Sequence, residues 1–420
     1  MILRARIVVP VSTPLIENGA LVIDGGRIIA VAPWAEIAGR FKGTICDLGE
    51  VILLPGLVNA HCHLDYTNLA GEIGTTPSFI DWIKSITTLK MGMDRADFMA
   101  SWSRGARMLL RTGTTTVADI EAVPELLPEA WQSTPLRIYS FLEMTGIKSR
   151  REPGQILDEA CSKIESLRPS RNQTGLSPHA SYSTQFELLL LSGVRARQQS
   201  LRVATHVAES AEEFEMFFHK RGSMFDFLLA NNRVMDDCGG ITPVGHLERA
   251  GILGKNLIAV HANYLHEKDA ERLAQSGSHI VHCPRSHTFF RHRPFPFLEL
   301  KTAGTNICLG TDSLASVDKL RGQDIQLNMF EEMSAFAKSN PSVSPDTLLK
   351  LATMNGALAL GMKGAVGELT IGACADIIAI PYSGGIADSH EAIISHSDDV
   401  AASMIDGQWA LRPKSLSADE

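Results

Sequence analysis

Eight short β-branched runs, each ending in polar or special residues, constrain this chain more than any other feature. They are VILLPGLVNAH (ending at His61), TTTVAD (Thr114 to Asp119), LRIYSFLE (Leu136 to Glu143), TGLSPH (Thr174 to His179), RVATHVAE (Arg202 to Glu209), LIAVHA (Leu257 to Ala262), HIVHCP (His279 to Pro284) and TNICLGTD (Thr305 to Asp312). Helix-length segments such as PSFIDWIKSITTLK and EKDAERLAQSG separate them. Strands alternating with helices imply βα units on a parallel sheet, and eight of them predict an α/β fold closed as a (β/α)8 TIM barrel over residues 56–364. The flanks differ. GALVIDGGRIIAVAP near the start forms two strands around a tight turn at Asp24 and Gly25, and GELTIGACADIIAIP near the end is again strand-like. Neither piece alone buries a face, so residues 1–55 and 365–420 are expected to pair into one small β-sandwich domain beside the barrel domain.

The same composition limits the partners. At 420 residues with 45% hydrophobic content the chain has ample core, and its net charge of -8 argues against a nucleic-acid or anionic-membrane surface. No apolar span is long enough to cross a bilayer, and the opening MILRARIVVPVSTP lacks the pattern of a signal peptide. Seven scattered cysteines without C-x-x-C spacing fit reduced thiols in a cytoplasm.

The stretch NAHCHLDYT places His61 and His63 two positions apart. In extended backbone, side chains at i and i+2 share a face, so the two imidazoles point together while Cys62 points away. An isolated pair proves little. In a (β/α) barrel, however, catalytic residues gather at the C-terminal ends of the strands. His61 and His63 end the first strand, His179 the fourth, His206 the fifth, His261 the sixth and Asp312 the eighth, so all six converge on one mouth. His219, His246, His266, His390 and His396 have no such placement and are expected to be surface or framework residues.

From PGLVNAHCH through HVAES, HANYL, HCPRSH and LGTDSLAS to GELTIGACADIIAI, the chain resembles the amidohydrolase superfamily in its mononuclear-metal branch of deaminases and chlorohydrolases. The resemblance implies one divalent metal, zinc or ferrous iron, held by His61, His63, His206 and Asp312, with Glu209 and His261 acting on the activated water. Imidazole and carboxylate ligands suit zinc first, with iron and manganese also compatible. Three imidazoles and a carboxylate leave room for water, whose pKa a bound metal can bring down to about 7. Asp312 can accept a proton from that water or orient it, and His261 can hydrogen-bond a developing oxyanion. Glu209, three residues after His206, can shuttle a proton to the substrate nitrogen if its pKa is raised; the alternative is charge stabilisation at a helix N-terminus.

Dinuclear relatives carry a bridging carboxylated lysine at the end of the fourth strand, where this chain has SPH; Lys148, after the third strand, is poorly placed to bridge. The implied reaction is hydrolytic deamination of an aminopurine nucleoside-like substrate, 6-aminodeoxyfutalosine or a related adenosine derivative. His179 within SPHASYS is similar to the stretch that contacts sugar or ring in such deaminases. Trp82, Glu143 and Ser313 are further expected substrate contacts, Trp82 alternatively filling an amphipathic-helix core position and Glu143 alternatively binding a second metal. After the seventh strand, HCPRSHTFFRHRPFPF replaces the Asn-Pro-x-Ser-Asn pattern of S-adenosylhomocysteine deaminases. There Arg285, with His287, Arg291, His292 and Arg293, is expected to meet a substrate carboxylate or else to form a solvated loop. The rival readings are a chlorohydrolase or triazine-type hydrolase, a dinuclear amidase and a non-catalytic scaffold. The expected partner is a small-molecule substrate, with a homodimer as an option through the aromatic FPF segment.

Overall fold

A computed structural model describes residues 1–147, 151–167, 171–319 and 324–413. The N-terminal segment forms β1 (Ile2–Val8), β2 (Ile16–Asp24), β3 (Arg27–Pro33), β4 (Ile45–Asp47) and β5 (Val51–Pro55). The β2–β3 turn is Gly25–Gly26, one residue later than expected, because Asp24 still pairs with Arg27. Both glycines have positive φ, +53° and +78°, as the mirror-image hairpin turn requires.

Eight parallel strands follow: β6 (Leu57–Cys62), β7 (Thr114–Glu121), β8 (Arg137–Met144), β9 (Gln173–Pro178), β10 (Val203–Val207), β11 (Leu257–His261), β12 (His279–His282) and β13 (Asn306–Leu309). They hydrogen-bond in sequence order, and every predicted strand is present. Beyond β13 a bridge between Cys62 and Asp312 closes the ring. The seam is tightly made: the N–H groups of Thr311 and Asp312 donate to the His61 carbonyl at 3.0 and 3.1 Å, and Asn59 Nδ2 donates to Thr311 Oγ1 at 2.8 Å. A Cβ on Gly310 would lie 2.8–2.9 Å from His61 backbone and Cβ atoms, so only glycine lets the last strand approach the first so closely. Val58, Phe141, Ile258, Val260 and Val281 share the apolar cluster that fills the interior. The barrel strands are covered on both faces and buried along nearly their whole length, which is why these runs lack an alternating pattern.

The C-terminal segment adds β14 (Ile377–Pro381), β15 (Ala402–Ile405) and β16 (Gln408–Leu411) to the N-terminal sheet, in the order β16-β15-β14-β5-β1-β2-β3 with β4 on β1. Leu3, Leu21 and Ile28 from one end of that order share a single core with Ile377, Ala379 and Met404 from the other, so the sheet folds over on itself as a small sandwich. Phe295 and Phe297 of the FPF segment are buried in the large barrel core, with Phe295 stacked 3.8 Å from His282. They are therefore unavailable as an exposed dimer surface. Among the described residues no helix is long and apolar enough to cross a membrane.

Candidate active site

The parallel register carries each strand-end residue to the same rim. His61 and His63 leave the end of β6, His206 lies in β10 and His261 ends β11, where Val207 pairs with His261. The ligating atoms of His61, His63 and His206 all lie within 4.8 Å of one another. Asp312 Oδ1 lies 3.7 Å from His61 Nε2 and 3.8 Å from His63 Nε2. Cys62, between the two histidines, faces the opposite way into a cluster with Leu64 and Trp102. His206 Nδ1 stands 2.7 Å from the His179 carbonyl and donates to it, which turns Nε2 inward. The other Asp312 oxygen, Oδ2, accepts from Ser286 Oγ at 2.6 Å and Ser316 Oγ at 3.0 Å, leaving Oδ1 to face the imidazoles. His61 Nε2 is buried with no hydrogen-bond partner.

The protonation states suit a cation as well as the geometry does. Burial first, then His61, pushes the His63 imidazole down to about 3. Burial with His179 and His61 holds His206 well below its usual range. Burial alone would raise the Asp312 carboxyl, but the facing His61 and His261 rings outweigh it and keep it well below normal. Neutral imidazoles at His63 and His206 and an ionised Asp312 carboxylate are the forms in which these side chains bind metal, and the arrangement with His61 fits a divalent ion.

Beside that cluster Glu209 Oε1 lies 3.5 Å from His261 Nε2. Burial is the largest influence on Glu209, followed by Asp312 and Glu213, and together they hold its carboxyl well above the usual range. Burial lowers His261 to about 3 despite Asp312, so its ring is neutral. Both line a cavity of about 610 Å³ with His63, His206 and Asp312 at its base.

Trp82, Glu143, His179 and Ser313 all line the same cavity. Trp82 Nε1 donates to the Ala315 carbonyl at 3.3 Å, which fixes its indole against the wall. His179 Nε2 lies 3.8 Å from Glu143 Oε1. Burial raises Glu143, but Lys90, His179 and His63 outweigh it and hold the carboxyl below its normal range. Arg285 is different. Its guanidinium pairs with Glu331 and Glu332 and donates to the Gln326 carbonyl at 2.8 Å, and the residue is absent from the cavity wall. The expected carboxylate contact thus gives way to a framework ion pair, because two acidic residues on helix Met329–Ser339 claim its donors. Lys148 lies outside the described residues.

Sequence reasoning missed much of the wall. Ile83, Ile86, Thr87 and Lys90 join the expected Trp82 along one face of helix Phe79–Met91, at i, i+3/i+4 and i+7/i+8 spacing, and line the cavity. That periodicity was present in the sequence, but it does not reveal which surface the face covers. Phe227 and Leu228 join them from helix Ser223–Ala230. Asp119, also missed, ends the second run; it accepts from the Leu64 N–H at 2.9 Å and Trp102 Nε1 at 2.8 Å, pinning the chain just after His63.

The chain has relatives among known proteins and solved structures of the same fold. A 5-methylthioadenosine/S-adenosylhomocysteine deaminase of Syntrophobacter fumaroxidans is 29% identical over 427 residues, covering 95% of this chain and 90% of its own. The structure of Helicobacter pylori aminofutalosine deaminase with methylthio-coformycin superposes with a TM-score of 0.86 at 20% identity, over 98% of this chain and 100% of that one. Atrazine chlorohydrolase of Arthrobacter aurescens, solved with zinc and atraton, superposes with a TM-score of 0.81 at 21% identity, over 97% and 94% of the two chains. The model of the amidohydrolase family matches residues 52–410, which takes in the whole barrel and the strands that return to the N-terminal sheet, and this chain belongs to that family.

Proposed function

We infer that the protein is a metal-dependent deaminase that hydrolyses an aminopurine nucleoside-like substrate, 6-aminodeoxyfutalosine or a related adenosine derivative. The enzyme class is that of hydrolases acting on non-peptide carbon–nitrogen bonds. The observation that carries the reading is the Glu209–His261 pair standing against the His61, His63, His206 and Asp312 cluster within one cavity. Those four residues would hold the ion, for which zinc is our first choice. When bound it would lower the pKa of water to about 7 and make a nucleophile available at neutral pH.

The chain's own residues then handle the protons. Glu209, with its raised pKa, gives a proton to the ring nitrogen as water attacks the amino-bearing carbon. The carboxylate so formed takes a proton from the attacking oxygen and passes it to the amino group. The C–N bond breaks and ammonia leaves, and the proton left on the attacking oxygen returns to Glu209 as the carbonyl forms, which restores the acid. Neutral His261 can donate a hydrogen bond to the oxygen as charge develops. Trp82, Ile83, Ile86, Phe227 and Leu228 give the upper cavity an apolar wall suited to a flat ring and its apolar substituent. Lys90 and Arg151 also line the cavity and would be the cations to meet an anionic substituent there, in place of Arg285.

The test is ammonia release by zinc-loaded protein from aminodeoxyfutalosine, methylthioadenosine, S-adenosylhomocysteine and adenosine, with chlorotriazines assayed for chloride in parallel. Release from one adenine nucleoside supports the reading. The fold shared with atrazine chlorohydrolase favours halide displacement as the second reading, and chloride release without ammonia would establish it instead.

A further inference from the structure

Three residues around the catalytic turn have left-handed backbone although none is glycine: Ala208 (φ +50°), His261 (φ +76°) and Ala262 (φ +50°). Each costs about 1 kcal/mol or more, so the turn needs restraint from its surroundings. Part of it is backbone: the Ala262 N–H donates to the Val207 carbonyl at 3.0 Å, and the Asn263 and Tyr264 N–H groups to the Ala208 carbonyl at 2.9 and 3.0 Å. The rest comes from the Asn263 side chain, whose Nδ2 donates to the Glu209 carbonyl at 3.0 Å. With its nitrogen so committed, Asn263 offers Oδ1 on the other side, and His287 Nδ1 lies 3.1 Å from that oxygen. His287 sits on helix Pro284–Phe289 and is not part of the cavity wall. Arg293 adds a second strut: Nε and Nη2 donate to the carbonyls of Asn263 and Leu265 at 3.2 and 2.9 Å, with the guanidinium 4.9 Å from the centre of the Tyr264 ring.

We propose that His287 is a positioning residue for Glu209: through Asn263 it fixes the turn that aims the Glu209 carboxyl, so the 285–293 segment serves the catalytic turn and does not read substrate. This rests on the reading of Glu209 as the proton shuttle. Asn263 is buried and can bond the Glu209 carbonyl only in one amide orientation, and His287 is the donor that selects it.

The experiment compares wild type, H287A, H287N, N263A and E209Q as zinc-loaded full-length protein, with methylthioadenosine as the first substrate, zinc content measured alongside and backbone hydrogen exchange followed over residues 207–210 and 261–265. H287A and N263A should lower kcat about 10- to 100-fold with KM within about threefold and zinc content unchanged. H287N, whose amide can donate from nearly the same place, should recover most of the loss. Exchange over both segments should quicken in H287A and return in H287N, a readout that holds even where no substrate turns over. Wild-type kcat or unchanged exchange in H287A overturns the proposal, as does a KM rising in step with the fall in kcat or an H287N no better than H287A. If H287A does not fold, N263A carries the same expectations. E209Q with wild-type kcat removes the shuttle reading and the proposal together, whereas an inactive E209Q beside a fully active H287A removes the proposal alone.

Discussion

At the base of the cavity the polar side chains come from the ends of strands: His61 lies near the end of β6 and His63 just past it, His206 lies near the end of β10, His261 ends β11, and Asp312 lies just past β13. At the top, the wall comes from helix Phe79–Met91 and helix Ser223–Ala230, which contribute apolar side chains and Lys90. The base is locked by the hydrogen bonds that close the barrel and by two serine hydroxyls on Asp312. The top is held mainly by ring contacts, Trp82 lying 5.9 Å from Phe79 and 5.2 Å from Phe290. Geometry fixed by strands suits a reaction whose atoms must be placed closely, whereas a helical wall can change its side chains without moving those atoms. We therefore assign the chemistry to the base and the choice of substrate to the top.

The comparison is broken most directly at the base. His206→Ala should lose the bound ion, as metal analysis of the purified protein would show, with turnover down at least about 10³-fold. Glu209→Gln should keep the ion and still lose about 10³-fold in kcat; loss of the ion here would mean that Glu209 is a ligand. A Ser286→Ala, Ser316→Ala double variant frees the outer oxygen of Asp312 and should cost about 10- to 100-fold in activity or metal affinity, measured by titration against a chelator.

Smaller effects sharpen the other half of the comparison. Trp82→Ala should raise KM about tenfold, or about 1.4 kcal/mol, with kcat little changed, because it removes wall area and no proton donor. A kcat loss as large as that of Glu209→Gln would erase the distinction between base and top. Smallest is a control outside both regions. His246 is fully buried between Phe186 and Phe217, and burial first lowers its imidazole to about 4 from an ordinary 6.5. A depressed folded-state pKa gives stability that is present above 6.5 and is lost as pH falls towards 4. Between pH 6.5 and 5.5 the loss is about 1 kcal/mol. His246→Phe should flatten that part of the acid limb in denaturant titrations and leave metal content untouched.

The base was legible in the sequence because strand ends and a two-residue histidine spacing both follow from local geometry. His61, His63, His206, His261 and Asp312 needed only the rule that barrel strands discharge their side chains on one rim. The partners of those residues were not legible. Ser286 and Ser316 meet Asp312 from different segments, and nothing local to either marks a serine as a carboxylate's donor. Arg285 shows the converse: a cationic cluster in the sequence suggested an anion site, but its fate was set by Glu331 and Glu332, more than forty positions away along the chain. His246, expected only to be framework or surface, proves to be a framework residue packed between Phe186 and Phe217.

The order of strands in the small sheet has a consequence for how the chain is made. β5 runs into the first barrel strand across Gly56 alone, so the sandwich and the barrel are joined there with no linker. The edge of β5 opposite β1 is completed by β14, five paired residues from Ile377↔Pro55 to Pro381↔Val51. Every residue of β5 is buried in the finished molecule. A ribosome delivers β5 more than three hundred residues before its partner, and for that whole interval the nascent protein carries an apolar strand with one open edge. Chaperone demand during synthesis should therefore fall when the segment beyond residue 377 emerges, and a chain truncated before it should aggregate through β5 even though all eight barrel strands are present.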